Sequence, residues 1–176
     1  KNAGSNYLVK ATDGSSVNCK VKGNFRLKGI RTTNPVAVGD EVTFTANADG
    51  SAYITDIAPR RNYIIRRASN LSKEAHILAA NVDQAFLVVS FKNPLTSTTF
   101  IDRFLATAEA YSVPVIIVVN KTDLLDDDEL EYVEAVRYLY TGIGYEVLTL
   151  SATGSEDATL TPSLNLAKDS ISLLAG

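Results

Sequence analysis

A continuous apolar run that ends in Asn-Lys-Thr-Asp constrains the fold of this chain more than any other feature. The segment VPVIIVVNKTDLL occupies residues 113–125, and its apolar part, Val113 to Val119, leads directly into Asn120. An unbroken apolar run is typical of a parallel strand covered on both faces, and this one is far shorter than the roughly 20 residues that cross a bilayer. Because open α/β sheets bind ligands at the carboxyl ends of their strands, the polar residues after the run are predicted to lie in a ligand site.

The tetrapeptide after the run has the chemistry needed to read guanine. The carboxylate of Asp123 can accept from the guanine N1–H and the exocyclic N2 amino group together, whereas adenine has an acceptor at N1 and no N2 amino group. The stem of Lys121 can lie along one face of the purine, and the Asn120 amide can bond the base and tie neighbouring loops together. The alternative is an Asx-type turn that opens an acidic helix.

A second short element supports the guanine-reading interpretation. The stretch LTLSATG places Ser151 and Ala152 after the next predicted strand, one helix and one strand beyond Asp123. This order matches the Ser-Ala element of GTPases, in which the alanine N–H donates to the guanine O6. Because the Ser-Ala dipeptide is common by itself, the guanine-reading interpretation depends on its position one helix and one strand after Asp123.

The second part of the chain alternates between strand and helix patterns, which predicts a parallel α/β sheet. Predicted strands are QAFLVVSF, VPVIIVV, YEVLTL and ISLLAG. One helix follows Ser97 or Thr98, and Pro114 lies beyond its end. Its apolar face comprises Phe100, Ile101, Phe104, Leu105, Ala108 and Tyr111. Another helix begins at the acidic run 126–129, which complements the helix dipole, and continues to about Tyr140.

The first part of the chain carries hairpin signals. Short alternating segments between Tyr7 and Ile57 surround Asp-Gly pairs at residues 13–14 and 49–50, which predicts an OB-like antiparallel β-barrel. Residues 58–84 are predicted to be a connector, because basic dipeptides interrupt their apolar periodicity. We place the domain boundary near Arg67, giving a barrel at 1–67 and an α/β domain at 68–176.

Charge separates the two parts. Residues 1–68 contain eleven Lys and Arg against five Asp and Glu, whereas residues 69–176 contain six against fifteen. The basic part is predicted to face a polyanion. Within it, an aromatic side chain lies among cations, a composition that OB folds use on RNA, although a solvated basic face would look the same. These candidate RNA-binding residues are Lys20, Lys22, Phe25, Arg26, Lys28 and Arg31. The pairs Arg60-Arg61 and Arg66-Arg67 either extend the patch or solubilise the connector.

The remaining composition excludes several classes of protein. A single Cys19 and a single His76 cannot form a disulfide framework or a structural zinc site by themselves, and both are predicted to be structural. Without an apolar span or signal peptide, a cytoplasmic chain is expected. The absence of Met indicates a fragment or a processed chain.

The sequence lacks the phosphate-binding half of a GTPase site. It contains no G-x-x-x-x-G-K-[ST] and no D-x-x-G. It does end in ISLLAG, an apolar strand followed by Gly176, which is how a P-loop begins. We therefore expect a rotated order in which the base-reading loops come first and the phosphate loop starts at Gly176, where this chain is cut.

These segments resemble a known family, the ribosome small-subunit-dependent GTPases, which are circularly permuted GTPases of bacteria. The similar segments span about residues 7 to 176 and are VKGNFRLKGI, NPVAVGDEV, RRNYIIRRASN, ILAANVDQ, FIDRFLATAEA, VVNKTDLL and SATG. The resemblance implies an OB barrel that contacts 16S rRNA, a permuted GTPase domain stimulated by the 30S subunit, and a role in late 30S maturation. It also implies GTP or GDP with magnesium, a zinc-binding C-terminal domain outside this chain, and a monomer.

The resemblance assigns roles only at matching positions. Guanine recognition falls on Asn120, Lys121, Asp123, Ser151 and Ala152, and Gly176 would be the first P-loop glycine. The P-loop Lys and Ser, the magnesium ligands, the switch regions and the zinc ligands have no counterpart in the sequence. We therefore expect no catalytic residue and no metal ligand in this chain, and no hydrolysis by it alone. The alternative is a non-enzymatic OB-type RNA-binding module with a degenerate α/β scaffold.

Overall fold

Two compact units, Lys1–Asn81 and Val82–Gly176, make up the chain. The computed structural model describes residues 2–3, 6–21, 35–67, 75–151 and 165–176. The division between the units falls beyond the boundary near Arg67 that the sequence predicts, because a strand after that point pairs back onto the first unit.

A five-stranded sheet of short strands lies in the first unit. The strands are β1 (Asn2–Ala3), β2 (Asn6–Lys10), β3 (Ser16–Val21), β4 (Val42–Ala46) and β5 (Ala52–Ile57). Their order in the sheet is β1-β2-β3-β5-β4. Neighbouring strands are antiparallel except β3 and β5, which run parallel. The sheet confirms the predicted OB-like class and adds one parallel pairing that hairpin signals cannot reveal.

Two Asp-Gly-Ser turns join the hairpins β2–β3 and β4–β5. The central Gly14 and Gly50 have φ values of 85° and 80°, in the left-handed region that glycine enters without a Cβ penalty. In each turn the aspartate carboxylate accepts from the serine two residues later, at 2.9 Å from the backbone N–H and 2.6 Å from the hydroxyl. The hydrogen bonds from the serine side chains lower the pKa of both aspartates. The turn chemistry predicted from the sequence is confirmed.

The sheet of the first unit packs its apolar face into a small core. Cys19 is fully buried there, which confirms its predicted role as a small strand residue, and burial raises the pKa of its thiol. The buried residues of this core are Tyr7, Cys19, Val36, Ala52, Ile54 and Ile57.

The predicted connector contains a hairpin. Strands β6 (Tyr63–Arg67) and β7 (Ala75–Ala80) pair antiparallel. Asn62 and Ile64 are buried, which is the two-residue alternation of a strand. The connector interpretation was wrong on this point, because the alternation is too short to outweigh the basic dipeptides on either side of it.

A polar network that we name the Arg60 cluster, consisting of Arg60, Asp40 and Asn81, fixes the ends of this hairpin. The side chains of Arg60 and Asp40 are buried. Arg60 donates from Nε to Asp40 Oδ1 at 2.6 Å, from Nη2 to Asp40 Oδ2 at 2.7 Å, and from Nη2 to the Pro35 carbonyl at 3.1 Å. Asn81 donates from Nδ2 to the Gly39 carbonyl at 3.0 Å and accepts from the Arg61 N–H at 2.8 Å. Arg60 is therefore a structural residue and neither extends a basic surface nor solubilises a linker.

The second unit is built on a fully parallel four-stranded sheet, as predicted. The strands are β8 (Gln84–Val89), β9 (Val115–Val119), β10 (Glu146–Thr149) and β11 (Ser172–Ala175). Their order in the sheet is β10-β9-β8-β11, and every neighbouring pair is parallel. All five residues of β9 are buried, as expected for a strand covered on both faces.

Both predicted helices of this unit are present and capped. Helix α1 (Thr98–Ala110) begins after Ser97, whose side chain accepts from the Phe100 N–H. Its buried residues, Ile101, Leu105 and Ala108, belong to the predicted apolar face. Helix α2 (Asp127–Gly142) begins after Asp126, which forms a capping box with Glu129. The acidic run is therefore a helix start, as its sequence indicates.

Candidate functional site

Three polypeptide segments meet at the carboxyl edge of the parallel sheet. The Asn120 N–H donates to the Val89 carbonyl at 2.8 Å, and the Leu150 N–H donates to the Val119 carbonyl at 2.8 Å. The Thr122 hydroxyl donates to the Leu150 carbonyl at 3.2 Å. Residues 120–125, the 120–125 loop, are thus held between the ends of β8 and β10.

The first half of the 120–125 loop adopts an uncommon backbone conformation. Lys121 has φ 64° and ψ 36°, in the left-handed region, and precedes a 3₁₀ turn at Thr122–Leu124. Asn120 Oδ1 accepts from the Lys121 N–H at 2.8 Å. The Lys121 ammonium donates to the carbonyl of Asn93, in the loop that follows β8. This contact sets where the lysine stem lies.

The second half of the 120–125 loop joins the end of β10 through side chains. Ser151 Oγ donates to Asp123 Oδ1 at 2.5 Å. Asp123 is exposed while Ser151 is half-buried, so the hydroxyl orients a carboxylate that solvent can reach. The sequence places Asp123 and Ser151 in one site, and the structure brings them into direct contact. Ala152, the other predicted residue of this element, lies outside the described residues.

The loop between β8 and α1, residues 90–96, is the part of the site that sequence reasoning missed. Its Ser90 hydroxyl donates to the Lys92 carbonyl at 2.6 Å, and the Thr96 N–H donates to the Ser90 carbonyl at 2.7 Å. The Asn-Pro pair at 93–94 signals a turn, but no local signal shows that the Asn93 carbonyl meets Lys121.

The 90–96 loop also contacts the start of α2 through a network that we name the Lys92 cluster, consisting of Lys92, Asp126 and Glu129. Lys92 Nζ lies 2.6 Å from Glu129 Oε2 and 3.8 Å from Asp126 Oδ2. The hydrogen bond between Lys92 and Glu129 raises the pKa of the lysine and lowers the pKa of the glutamate. Nearby, the rings of Phe91 and Tyr132 meet edge to face with centroids 5.3 Å apart.

Gly176, the predicted first glycine of a phosphate loop, follows β11 at the same edge of the sheet. A Cβ at this position would lie 2.5 Å from the Val88 carbonyl oxygen. Since real Cβ atoms do not approach backbone that closely, only glycine fits here without movement of β8. The requirement comes from packing against β8 and is independent of any ligand.

The predicted RNA-binding stretch is described only at its beginning. Lys20 lies exposed on β3, where it is paired with Asn6 and Tyr53. The other predicted residues, Lys22, Phe25, Arg26, Lys28 and Arg31, lie outside the described residues.

The described part of the chain contains neither a membrane-spanning helix nor a cluster of metal-ligating side chains. Among the described helices, none is long and apolar enough to cross a membrane. Within the same residues, no group of three or more His, Cys, Asp or Glu side chains could hold a metal ion.

The fold and the site together define a class of protein, a circularly permuted GTPase-like α/β domain that follows an OB-like sheet. Comparison with known families identifies it further. The family model described as "RsgA GTPase" matches residues 57–176, and the one described as "RsgA N-terminal domain" matches residues 1–54. The chain belongs to the RsgA family.

Relatives and solved structures agree with this assignment. The chain is 62% identical to the small ribosomal subunit biogenesis GTPase RsgA of Bacteroides fragilis, covering 89% of the chain and 50% of the relative. It is 55% identical to the protein of that name from Porphyromonas gingivalis, covering 100% and 56%. The chain thus spans about half the length of these relatives.

Two solved structures share the fold. YjeQ from Thermotoga maritima superposes with a TM-score of 0.69 at 34% identity, covering 94% of this chain and 53% of that one. YloQ, described as a circularly permuted GTPase, gives a TM-score of 0.68 at 30% identity, covering 100% and 57%. Both likenesses extend over the two units.

Proposed function

We propose that this chain supplies the guanine-recognition loops and the RNA-binding domain of a protein that hydrolyses GTP during biogenesis of the small ribosomal subunit. The observation that carries the proposal is the convergence of Asn120, Lys121, Asp123 and Ser151 at the carboxyl edge of one parallel sheet. The names of the relatives support the ribosomal part of the proposal.

The proposed base recognition follows from the donors and acceptors at this edge. The Asp123 carboxylate, exposed and oriented by Ser151, accepts from guanine N1–H and the N2 amino group. The Lys121 stem lies along the purine face, and the Asn120 amide bonds the base. The Ala152 N–H donates to guanine O6. A nucleobase without an N2 amino group leaves one carboxylate acceptor unpaired, which is the basis of discrimination.

The phosphate side of the proposal rests on family membership and on Gly176. Gly176 follows β11 at the carboxyl edge of the parallel sheet, which is the position expected for the first glycine of a phosphate loop. Magnesium bound with the nucleotide would neutralise charge on the transferring phosphoryl group. In the proposed whole protein, the residues of this chain select and hold the base. Hydrolysis would need groups absent from this sequence, and zinc would belong to a separate C-terminal domain.

The proposed partner of the first unit is ribosomal RNA of the 30S subunit. The excess of Lys and Arg in residues 1–68 and the exposed position of Lys20 support this assignment. The stretch from Lys20 to Arg31 would contact 16S rRNA, with Phe25 stacking on an unpaired base. The protein would act as a cytoplasmic monomer on the subunit.

The decisive experiment changes the base-reading carboxylate in the full-length protein. Asp123→Asn replaces an acceptor with an amide that can donate, so preference should shift from GDP towards xanthosine diphosphate by at least about tenfold. Competition against a fluorescent GDP analogue measures both affinities. Asp127→Asn is the matched control, because it removes an exposed carboxylate at the start of α2, close to Asp123 in the chain, and should leave the preference unchanged. Equal behaviour of the two variants would reject the guanine assignment and favour a non-enzymatic RNA-binding module.

A further inference from the structure

The left-handed conformation of Lys121 requires support from outside its own loop. Residues other than glycine rarely adopt such backbone angles, and they persist there when surrounding contacts hold them. The described contacts of Lys121 include its side-chain bond to the Asn93 carbonyl and its backbone bond to Asn120. The position of Asn93 therefore affects where the base-reading lysine lies.

Asn93 is positioned in turn by the residue before it. The Lys92 ammonium contacts Glu129 and Asp126, the two residues of the α2 capping box. Glu129 Oε2 accepts from Lys92 at 2.6 Å and from the Asp126 N–H at 3.0 Å. Because Asp126 directly follows the 120–125 loop, this ion pair joins the end of that loop to the segment that holds Lys121.

The 120–125 loop is therefore supported at both ends by one connected set of contacts. At its start, Lys121 is bound to the 90–96 loop, and at its end, the capping box of α2 is bound to Lys92 of the same 90–96 loop. A change at Lys92 would loosen this arrangement while leaving the groups that touch the base intact.

We propose that Lys92 is a positioning residue for guanine recognition, which acts through the Asn93 carbonyl on Lys121. The inference rests on the proposed function, since it assigns Lys92 a role in that same base-reading site. Lys92 itself touches neither the base nor the phosphates in this arrangement. Its ion pair raises the fraction of molecules in which Lys121 is already placed for the purine, and apparent nucleotide affinity scales with that fraction.

The test is a double-mutant cycle between Lys92→Gln and Lys121→Ala in the full-length protein, with fluorescent GDP as the probe. Lys92→Gln should weaken GDP binding about two- to fivefold, the range for a partly exposed ion pair. In the Lys121→Ala background the same change should have almost no further effect, because the residue that it positions is gone. Lys92→Arg should restore most of the affinity.

A matched control distinguishes an effect of Lys92 on GDP binding from a general loss of protein stability. Arg137→Gln breaks another exposed ion pair of α2, the one between Arg137 and Glu134, far along the helix from the base-reading loop. It should leave GDP affinity unchanged. Thermal unfolding of each variant checks folding, and the Phe91–Tyr132 contact should keep the 90–96 loop on α2 in Lys92→Gln.

The outcomes are distinguishable. If wild-type protein does not prefer GDP over ADP, the proposed function itself fails. If that preference is present but Lys92→Gln leaves GDP affinity intact, or weakens it equally with and without Lys121, then Lys92 has only a structural role and the inference alone is overturned.

Discussion

The Arg60 cluster in the first unit and the Lys92 cluster in the second unit have similar geometry but differ in burial. Each joins a loop to a distant element through a cation and a carboxylate. The side chains of Arg60 and Asp40 are 7% and 0% exposed, whereas those of Lys92 and Glu129 are 35% and 34% exposed. A buried pair cannot lose one partner without leaving a charge in a poorly solvated place, while water can replace a partner of the exposed pair. The Arg60–Asp40 pair is therefore part of the fold, whereas the Lys92–Glu129 pair is suited to adjusting a site.

The largest expected effect comes from breaking the buried pair. Arg60→Met in the full-length protein removes the guanidinium and leaves Asp40 buried, so the free energy of unfolding should fall by about 3–5 kcal/mol. Arg61→Met is the matched control, because Arg61 is exposed and its change should cost below about 1 kcal/mol. Urea unfolding followed by circular dichroism measures both. Similar losses for the two arginines would contradict the conclusion that burial makes the Arg60–Asp40 pair part of the fold.

A glycine in the loop before Asp40 tests the same cluster through the backbone. Gly39 has φ 91°, and a Cβ there would lie 2.0 Å from the Ala80 carbonyl oxygen. Gly14 has φ 85° with nothing within 4 Å of an added Cβ. Gly39→Ala should therefore destabilise the protein by about 1–3 kcal/mol more than Gly14→Ala, because only the former forces the Arg60 cluster apart. Thermal unfolding of the two variants compares them directly, and equal shifts would contradict the close approach.

The smallest expected effect is a pH dependence of the exposed pair. The hydrogen bond with Lys92 lowers the pKa of Glu129 below its ordinary value of 4.5, so this stabilisation is present above that pH and is lost as pH falls through the lowered pKa. The same bond raises the pKa of Lys92 above 10.5, so stabilisation is lost as pH rises through the raised value. The stability difference between wild type and Lys92→Gln should be constant between these limits and shrink on either side. Melting temperatures across pH measure it, and a difference that grows in acid would contradict the pairing.

The fold followed from the sequence wherever a local signal was sufficient. The apolar run before Asn120, the Asp-Gly turns and the acidic start of α2 each predicted an element that the structure contains. The connector was misjudged because β6 and β7 are stabilised by pairing with each other and by burial of Ile64, which is a contact between residues distant in the chain.

The candidate site likewise contains residues that the sequence predicted and residues that it did not. Asn120, Lys121, Asp123 and Ser151 form a recognisable pattern, since their spacing follows from two consecutive strands of a parallel sheet. Lys92 and Asn93 show no such pattern, because their connection to Lys121 and Glu129 exists only after β8 and β9 are adjacent.

By itself, the sequence determined the order of strands and helices in the second unit, the turn residues and the chemical character of the 120–125 loop, because each depends on the spacing of apolar, polar and glycine residues along a short segment. Only the tertiary structure decided that β3 pairs in parallel with β5, that Arg60 is a buried partner of Asp40, and that the Asn93 carbonyl holds Lys121. These contacts join residues far apart in the chain, and which of them form depends on how the sheets bring loop ends together.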